Sequence, residues 1–214
     1  MNVPVSAAEP TARQQAVLDV VLALFVEQGD RVTMDAVARR ASCSKETLYK
    51  WFGDREGMLN ATVRWQALRV GFTPVDLARL DLASLRRCLE EFAANWLSVI
   101  SSPTSIALNR VAIGQAAGGA PLGLIVLENG RFALGKRLKP VLEAGRAAGL
   151  IRFEDSEAAF RVFFGLFARD VQIRLLLGDR SILPALRIQE DAAEATRQFL
   201  ALHAASSPSG TESA

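Results

Sequence analysis

The chain has 214 residues, enough for one large or two small domains, and half of its residues are hydrophobic, which is ample for a buried core. Lysine and arginine together number 25 against 23 aspartates and glutamates, so the net charge of +2 permits an anionic partner without requiring one. Two cysteines far apart in the sequence and a single histidine exclude a disulfide framework and a zinc site, so we expect no metal and no cofactor.

Residues 1–10 precede the first helical pattern and are predicted to form a flexible arm. They lack a basic patch followed by an apolar segment, which is the pattern of a secretory signal. No stretch of the chain reaches the roughly 20 uncharged apolar residues that spanning a bilayer requires. We therefore expect a cytoplasmic protein without a membrane partner.

Residues 11–70 predict a small helical domain. Its first helix begins after the capping hydroxyl of Thr11 and ends at Gly29, which can adopt a positive φ. The apolar residues of this helix recur every three or four positions, at Leu18, Val21, Leu22 and Phe25. Helical patterns continue to about Val70, where Gly71 and Pro74 interrupt them, so we place a domain boundary there.

Residues 71–205 predict a larger helical domain, and residues 206–214 have the composition of a disordered tail. The predicted helices of this domain cover approximately 81–100, 105–117, 122–148, 155–177 and 184–204. The third of them is expected to kink before Pro140, which removes a backbone donor. No stretch alternates in the manner of a β-strand, so the fold class is all-α.

The segment TMDAVARRASCSKETLYKWFGDREGML, residues 33–59, predicts two short helices joined by a tight turn. Thr33 and Ser44 are placed to cap the two helices. Ala38 is small enough to let the second helix cross the first at close range. Leu48 and Phe52, four residues apart, are expected to anchor the second helix to the helices beneath it.

The remaining side of the second helix carries groups suited to DNA. At about 100° per residue, its outward and flanking positions are Lys45, Glu46, Thr47, Tyr49, Lys50 and Trp51. An α-helix fits the major groove, where lysine can donate to guanine, a threonine methyl can pack on thymine, and ring donors can reach phosphates. The alternative is an ordinary helix pair whose polar side faces only water.

The segment LFVEQGDRVTMDAVARRASCSKETLYKWFGDREGML closely resembles the DNA-binding domain of the TetR family of bacterial transcriptional regulators. The shared features are the threonine cap, the Val-Ala pair, the small turn and the Ser-Lys-x-Thr-Leu-Tyr-x-x-Phe pattern. The resemblance covers about the first 60 residues. It implies that double-stranded operator DNA is a partner and that the second short helix reads it.

The resemblance also implies DNA-contacting roles for individual residues. It assigns Thr33 and Tyr49 to phosphates, Lys45, Glu46 and Thr47 to base edges, Trp51 to the DNA backbone and Arg55 to a phosphate, and we add Ser44 and Lys50 as neighbours on the same surface. Two positions depart from the family pattern, because Ser42 replaces the usual turn glycine and Cys43 replaces a valine. Ser42 would cost on the order of 1 kcal/mol if its φ is positive. Glu46 would repel phosphate and suits a cytosine amine instead.

For residues beyond Val70 only the family plan applies, which is a helical domain that dimerises through its last two long helices and often holds a small molecule. The predicted pocket residues are Phe92, Asn95, Trp96, Asn109, Arg110, Phe132 and Phe164. The predicted dimer-interface residues are Phe167, Val171, Arg174, Leu175, Leu186, Phe199 and Leu202. The alternative for both sets is ordinary packing within one chain.

Three functions are therefore considered. The first is a homodimeric repressor that binds a palindromic operator and is released by a small hydrophobic effector. The second is a ligand-independent DNA-binding regulator whose C-terminal domain only dimerises. The third is a helical enzyme, which the sequence disfavours because it offers no paired carboxylates with a plausible base, no phosphate-binding loop and no metal-ligand spacing.

Overall fold

The computed structural model describes residues 9–71, 73–119, 121–179 and 185–204, and within these ranges the chain is all-helical, as predicted. The α-helices are α1 Ala12–Gln28, α2 Met34–Arg40, α3 Lys45–Phe52, α4 Arg55–Leu68, α5 Leu82–Ile100, α6 Pro103–Ala116, α7 Leu122–Val126, α8 Ala133–Ala147, α9 Ser156–Ala168, α10 Val171–Leu176 and α11 Ala185–Leu202. Among the residues described, none of these helices combines the length and apolarity needed to cross a membrane.

The helix ends follow the capping chemistry of the sequence. Thr11 and Gln14 form a reciprocal capping box at the start of α1, and Gly29 ends that helix with a φ of 61°. Asp81 accepts from the Ser84 amide at 2.7 Å and caps α5. Asp155 accepts from two amides of the first turn of α9. The three side-chain caps satisfy backbone donors that the start of a helix leaves free, which is why local sequence locates these ends.

The chain forms two compact units. The first unit contains α1–α4 together with α6 and α7, and the second contains α5 and α8–α11. This division differs from the predicted one at residue 70, because residues 103–130 join the first unit. The reason is a shared core, in which Leu108 and Val111 of α6 and Ile125 of α7 are buried with residues of α1–α4.

In the second unit, α5 supplies the centre of an aromatic core. The Trp96 ring lies 5.4 Å from Phe92, 4.7 Å from Phe164 and 5.5 Å from Phe167, measured between ring centroids. Gly135 of α8 allows α9 to approach closely, because a Cβ atom there would lie 2.9 Å from the Phe160 ring. Most of the aromatic surface of α9 is therefore buried within this unit.

Two predicted helices are corrected by the structure. The helix predicted over 155–177 is two helices, because Arg169 has a φ of 42° that ends α9 before α10 begins. Arg169 is neither glycine nor proline, so no local signal marks the break. The stretch predicted as 122–148 contains a π-helical segment, Leu127–Phe132, while α8 runs through Pro140. This segment ends about two turns before Pro140, and the kink expected before that proline stays a prediction.

The two cysteines are expected to differ sharply in reactivity. Cys88 is buried, and burial, with a smaller contribution from the Glu91 charge, raises its pKa to about 12. At pH 8 roughly one Cys88 thiol in ten thousand would then be ionised, and the thiolate is the reactive form. Cys43 is partly exposed. A thiol reagent should therefore modify Cys43 alone in the native protein and both residues in denaturant, with Cys43→Ser as the control. If the reagent labels the folded Cys43→Ser variant, Cys88 is not the buried, unreactive thiol described here.

Candidate DNA-binding interface

The turn between α2 and α3 is closed by backbone hydrogen bonds. The Cys43 amide donates to the Ala38 carbonyl at 3.0 Å, and the Ser42 amide donates to the Arg39 carbonyl at 3.4 Å. This is the Schellman arrangement, in which the residue after the C-cap has a positive φ and is usually glycine. Here that residue is Ser42, whose φ is 50°. The turn therefore has the backbone strain expected when a residue other than glycine has a positive φ.

Both helices of the pair are capped by the predicted hydroxyls. Thr33 accepts from the Ala36 amide at 3.2 Å, and Ser44 accepts from the Thr47 amide at 3.2 Å. The Thr47 hydroxyl also lies 3.1 Å from the Ser44 hydroxyl. Because these contacts engage the Ser44 hydroxyl at the start of α3, its first role is to fix the helix end.

One side of α3 is anchored and another is open to solvent. Leu48 is 0% exposed and belongs to the core of the first unit, and Phe52 packs at the edge of that core. Tyr49 is 50% exposed. The other exposed side chains of α3 are Lys45, Glu46 and Lys50, while Thr47 is half-buried. The geometry expected of a helix that enters a groove is therefore present.

Two predicted DNA-backbone residues take part in packing. Trp51 is half-buried and meets the Phe52 ring edge-on, at 6.1 Å between centroids. Arg55 is also half-buried, and its Nε donates to the Val32 carbonyl at 3.3 Å. Both side chains therefore help to hold α3 and α4 in place. Their roles towards DNA remain predictions.

The charges on α3 are set by close neighbours. Lys45 Nζ lies 2.5 Å from an oxygen of Asp35 on α2, and the hydrogen bond and charge of Asp35 raise the pKa of Lys45. The pKa of Glu46 is lowered, first by a hydrogen bond with its own backbone amide and then by one with Ser44. Both side chains are therefore charged at neutral pH. Asp35 was not among the predicted site residues, although its carboxylate pairs with the ammonium group that the sequence assigns to DNA.

Asp35→Asn is expected to strengthen binding to DNA of any sequence by about two- to fivefold at low salt, because it removes a carboxylate from the surface predicted to face DNA and frees Lys45 to pair with a phosphate. The ratio of specific to non-specific affinity should fall. Fluorescence anisotropy with operator and random duplexes measures both quantities. Glu143→Gln, which makes the same charge change in the second unit, is the control and should leave both affinities unchanged. A weaker non-specific affinity in Asp35→Asn would contradict this competition.

Arg13 is a further residue of this region that the sequence did not indicate. Its guanidinium donates to the carbonyls of Ala41 and Ser42, at 3.4 and 3.2 Å, and so reaches the turn before α3 from the first turn of α1. No local pattern marks an arginine 28 residues away as a partner of a turn. Only the packing of α1 against the helix pair brings these groups together.

The predicted pocket residues do not gather at one place. Phe92, Trp96 and Phe164 lie together in the aromatic core of the second unit. Asn95, also in this unit, donates to the Gly71 carbonyl at 2.6 Å. Asn109 and Arg110 belong to α6 in the first unit, whereas Phe132 is an exposed side chain of the second. The set is therefore divided between the two units.

The first unit contains an apolar concavity of about 440 Å³ between α6 and α7. Its large exposed side chains are Ile113, Leu124 and Leu127. Glycines and small or apolar residues form the rest of its wall, and Asn109 is its single polar side chain. Asn109 Nδ2 donates to the Ser105 carbonyl at 2.8 Å, which leaves the carboxamide oxygen as the acceptor that can face a ligand.

The predicted dimer-interface residues are also divided. Phe167 and Phe199 are 1% and 0% exposed and fill the core of their own unit, so the structure corrects their assignment, because a buried side chain has no surface to offer a partner. Val171 and Leu175 are half-buried, and Arg174 pairs with Asp179 at 2.6 Å. Leu202 is 68% exposed. The side chain of Leu186 lies outside the described residues.

Comparison with known proteins places this geometry in a family. The sequence model of bacterial regulatory proteins of the tetR family matches residues 17–62, and that of the C-terminal domain of AefR-like transcriptional repressors matches residues 87–205. No curated protein sequence matches the chain significantly.

Solved structures agree with these matches. A TetR transcriptional regulator from Agrobacterium tumefaciens is 42% identical, with a TM-score of 0.79 over 92% of this chain and 96% of that one. The flavonoid-responsive regulator FrrA is 25% identical, with a TM-score of 0.67 over 91% of this chain and 98% of that one. A TetR-family regulator from Mesorhizobium loti MAFF303099 shares the fold at 20% identity, with a TM-score of 0.72 over 90% of this chain and 96% of that one.

Proposed function

Because the chain belongs to the TetR family of transcriptional regulators, a family of DNA-binding proteins and not of enzymes, we propose that it is a homodimeric repressor that binds a palindromic operator in the cytoplasm. One observation carries the proposal. Leu48 anchors α3 from below while Tyr49 and its charged neighbours stay open to solvent, so the helix can enter a major groove without rearrangement. The repressor role is supported by the C-terminal match to AefR-like transcriptional repressors.

Dimerisation is supported by the outer sides of the last long helices. In α9, Ala158, Val162 and Gly165 are exposed at intervals of three or four residues. In α11, Ala193, Arg197 and Ala201 are exposed at intervals of four. Small residues at helical spacing let helices of two copies approach closely, and a two-fold dimer would present two α3 helices to half-sites about 34 Å apart, or a multiple of it.

Release by a small hydrophobic effector is supported by the concavity between α6 and α7. Its volume of about 440 Å³ and its apolar wall suit a small molecule with one donor for Asn109. The opposite sides of α6 and α7 contribute to the core that holds α1–α4, so a ligand that moves these helices would move the reading helix. Linkage then requires ligand and operator to weaken each other by the same factor, typically about 5- to 150-fold.

The decisive experiment is binding to duplexes from the region flanking the protein's own gene. We expect a dimer by light scattering, preference for one palindromic duplex over a scrambled duplex of equal length, and affinity that falls linearly with the logarithm of salt concentration. Equal binding to both duplexes, or the absence of binding, would overturn the proposal. Binding by a monomer would overturn the dimer alone.

The effector is tested separately. FrrA is a flavonoid-responsive regulator, so a flavonoid is a reasonable first probe for this chain. We expect the probe to raise the melting temperature and to release operator DNA, and Leu124→Gln to abolish both effects while leaving operator affinity unchanged. If a broad panel of apolar compounds neither stabilises the protein nor releases DNA, the ligand-independent regulator becomes the better description.

A further inference from the structure

The turn before α3 is strained, because Ser42 stands where glycine usually provides the positive φ. Ser42 has a φ of 50°, in the left-handed region, which carries an energetic cost for a residue with a Cβ atom. Glycine would remove that cost, and the sequence does not provide it. Since α3 starts shortly after this turn, any relaxation of the turn would tilt the helix that is to enter the groove.

Arg13 supplies a compensating contact. The amides of Ser42 and Cys43 donate within the Schellman arrangement, whereas the carbonyls of Ala41 and Ser42 follow the last turn of α2 and accept from a side chain. The Arg13 guanidinium reaches both carbonyls, at 3.4 and 3.2 Å. A positive charge is also favourable beside the C-terminal end of a helix, where the dipole is negative.

Arg13 is itself held in place. It lies in the first turn of α1, directly before Gln14, whose side chain accepts from the Thr11 amide at 2.8 Å in the capping box. The rest of α1 is fixed by its buried apolar side. The guanidinium therefore connects the start of α1 to the turn, and both of its hydrogen bonds come from the Nη2 nitrogen.

We propose that Arg13 is a positioning residue for DNA reading, which holds the Ser42 turn in its strained conformation and so fixes the direction of α3. The inference rests on the proposed function only in that α3 reads DNA. Arg13 acts through the backbone of the turn and contacts no phosphate. The chain thus uses a distant arginine where a turn glycine would otherwise provide the conformation.

The test is a double-mutant cycle with Arg13→Ala, Ser42→Gly and the combined variant. Arg13→Ala should weaken operator binding about tenfold, and Ser42→Gly should bind like the unmodified protein. In the Ser42→Gly background the effect of Arg13→Ala should shrink to about threefold or less, because the turn no longer carries strain. Arg64→Ala, an exposed arginine of α4, controls for the change in charge.

Two further measurements separate positioning from other roles. The slope of log affinity against log salt should stay the same in Arg13→Ala; a slope smaller by about 0.9 would make Arg13 a phosphate ligand and overturn the proposal. Hydrogen exchange of the Cys43 amide needs no DNA, and it should accelerate in Arg13→Ala and recover in the combined variant. Unchanged exchange would overturn the inference even if operator binding is confirmed. If no variant binds DNA but exchange behaves as expected, the proposed function fails while Arg13 remains the residue that holds the turn.

Discussion

Replacing Leu48 with alanine is expected to lower the free energy of unfolding of the first unit by about 2–5 kcal/mol. Leu48 is 0% exposed and lies in a core shared by α1–α4, α6 and α7, so removing its methyl groups leaves a cavity that several helices would have to move to fill. Urea unfolding followed by tryptophan fluorescence measures the change, because Trp51 and Trp65 lie in this unit.

The matched control is Leu68→Ala, which makes the same chemical change at an exposed end of α4. It should alter stability by no more than about 0.5 kcal/mol. Leu48→Ala should also reduce operator binding, because only the folded fraction of the variant can bind. At low temperature more of the variant is folded, so part of the binding should be retained. Equal stability of the two variants would mean that α3 is not anchored through Leu48.

The double substitution Tyr49→Ala/Lys50→Ala is expected to weaken operator binding by about 100-fold while leaving the melting temperature unchanged. Both side chains are exposed on α3, so their removal takes away DNA-binding groups and little packing. The salt dependence should also become shallower, by about 0.9 in slope, because the Lys50 charge no longer neutralises a phosphate. Titration of labelled operator at several salt concentrations provides both values.

Phe132→Ala/Lys136→Ala is the control for this pair, because it removes an exposed aromatic side chain and an exposed lysine from the second unit. It should bind operator with unchanged affinity and unchanged salt slope. If the two double variants behave alike, α3 does not read DNA, and the proposed function would need another surface.

The caps and the exposed polar side of α3 could be predicted from the sequence because their determinants are local. A capping hydroxyl such as Ser44 acts on amides two or three residues away, and the outward side of α3 follows from about 3.6 residues per turn once Leu48 is assigned to the core. The family resemblance rests on the same short-range features. These interactions depend on spacing along one helix, which a sequence contains explicitly.

Surfaces in the second unit could not be assigned in that way. The phenylalanines of α9 indicated surplus apolar area for a partner, yet Phe167 is buried with Trp96 in the core of its own unit. Periodicity marks which residues avoid water, and it cannot say whether the same chain or another one covers them. The break at Arg169 has the same origin, since contacts of the surrounding helices can impose a conformation for which the residue has no preference.

The all-helical class, the main caps, the helix pair and the polar side of α3 could be read from residues that are close together in the sequence. Three features could not: α6 and α7 complete the core of the first unit, Asp35 pairs with Lys45, and Arg13 reaches the turn at Ser42. These features depend on how separate helices pack against one another. Capping and periodicity act within a few residues. A contact across 29 residues forms only after the helices have packed against each other at a particular angle and position.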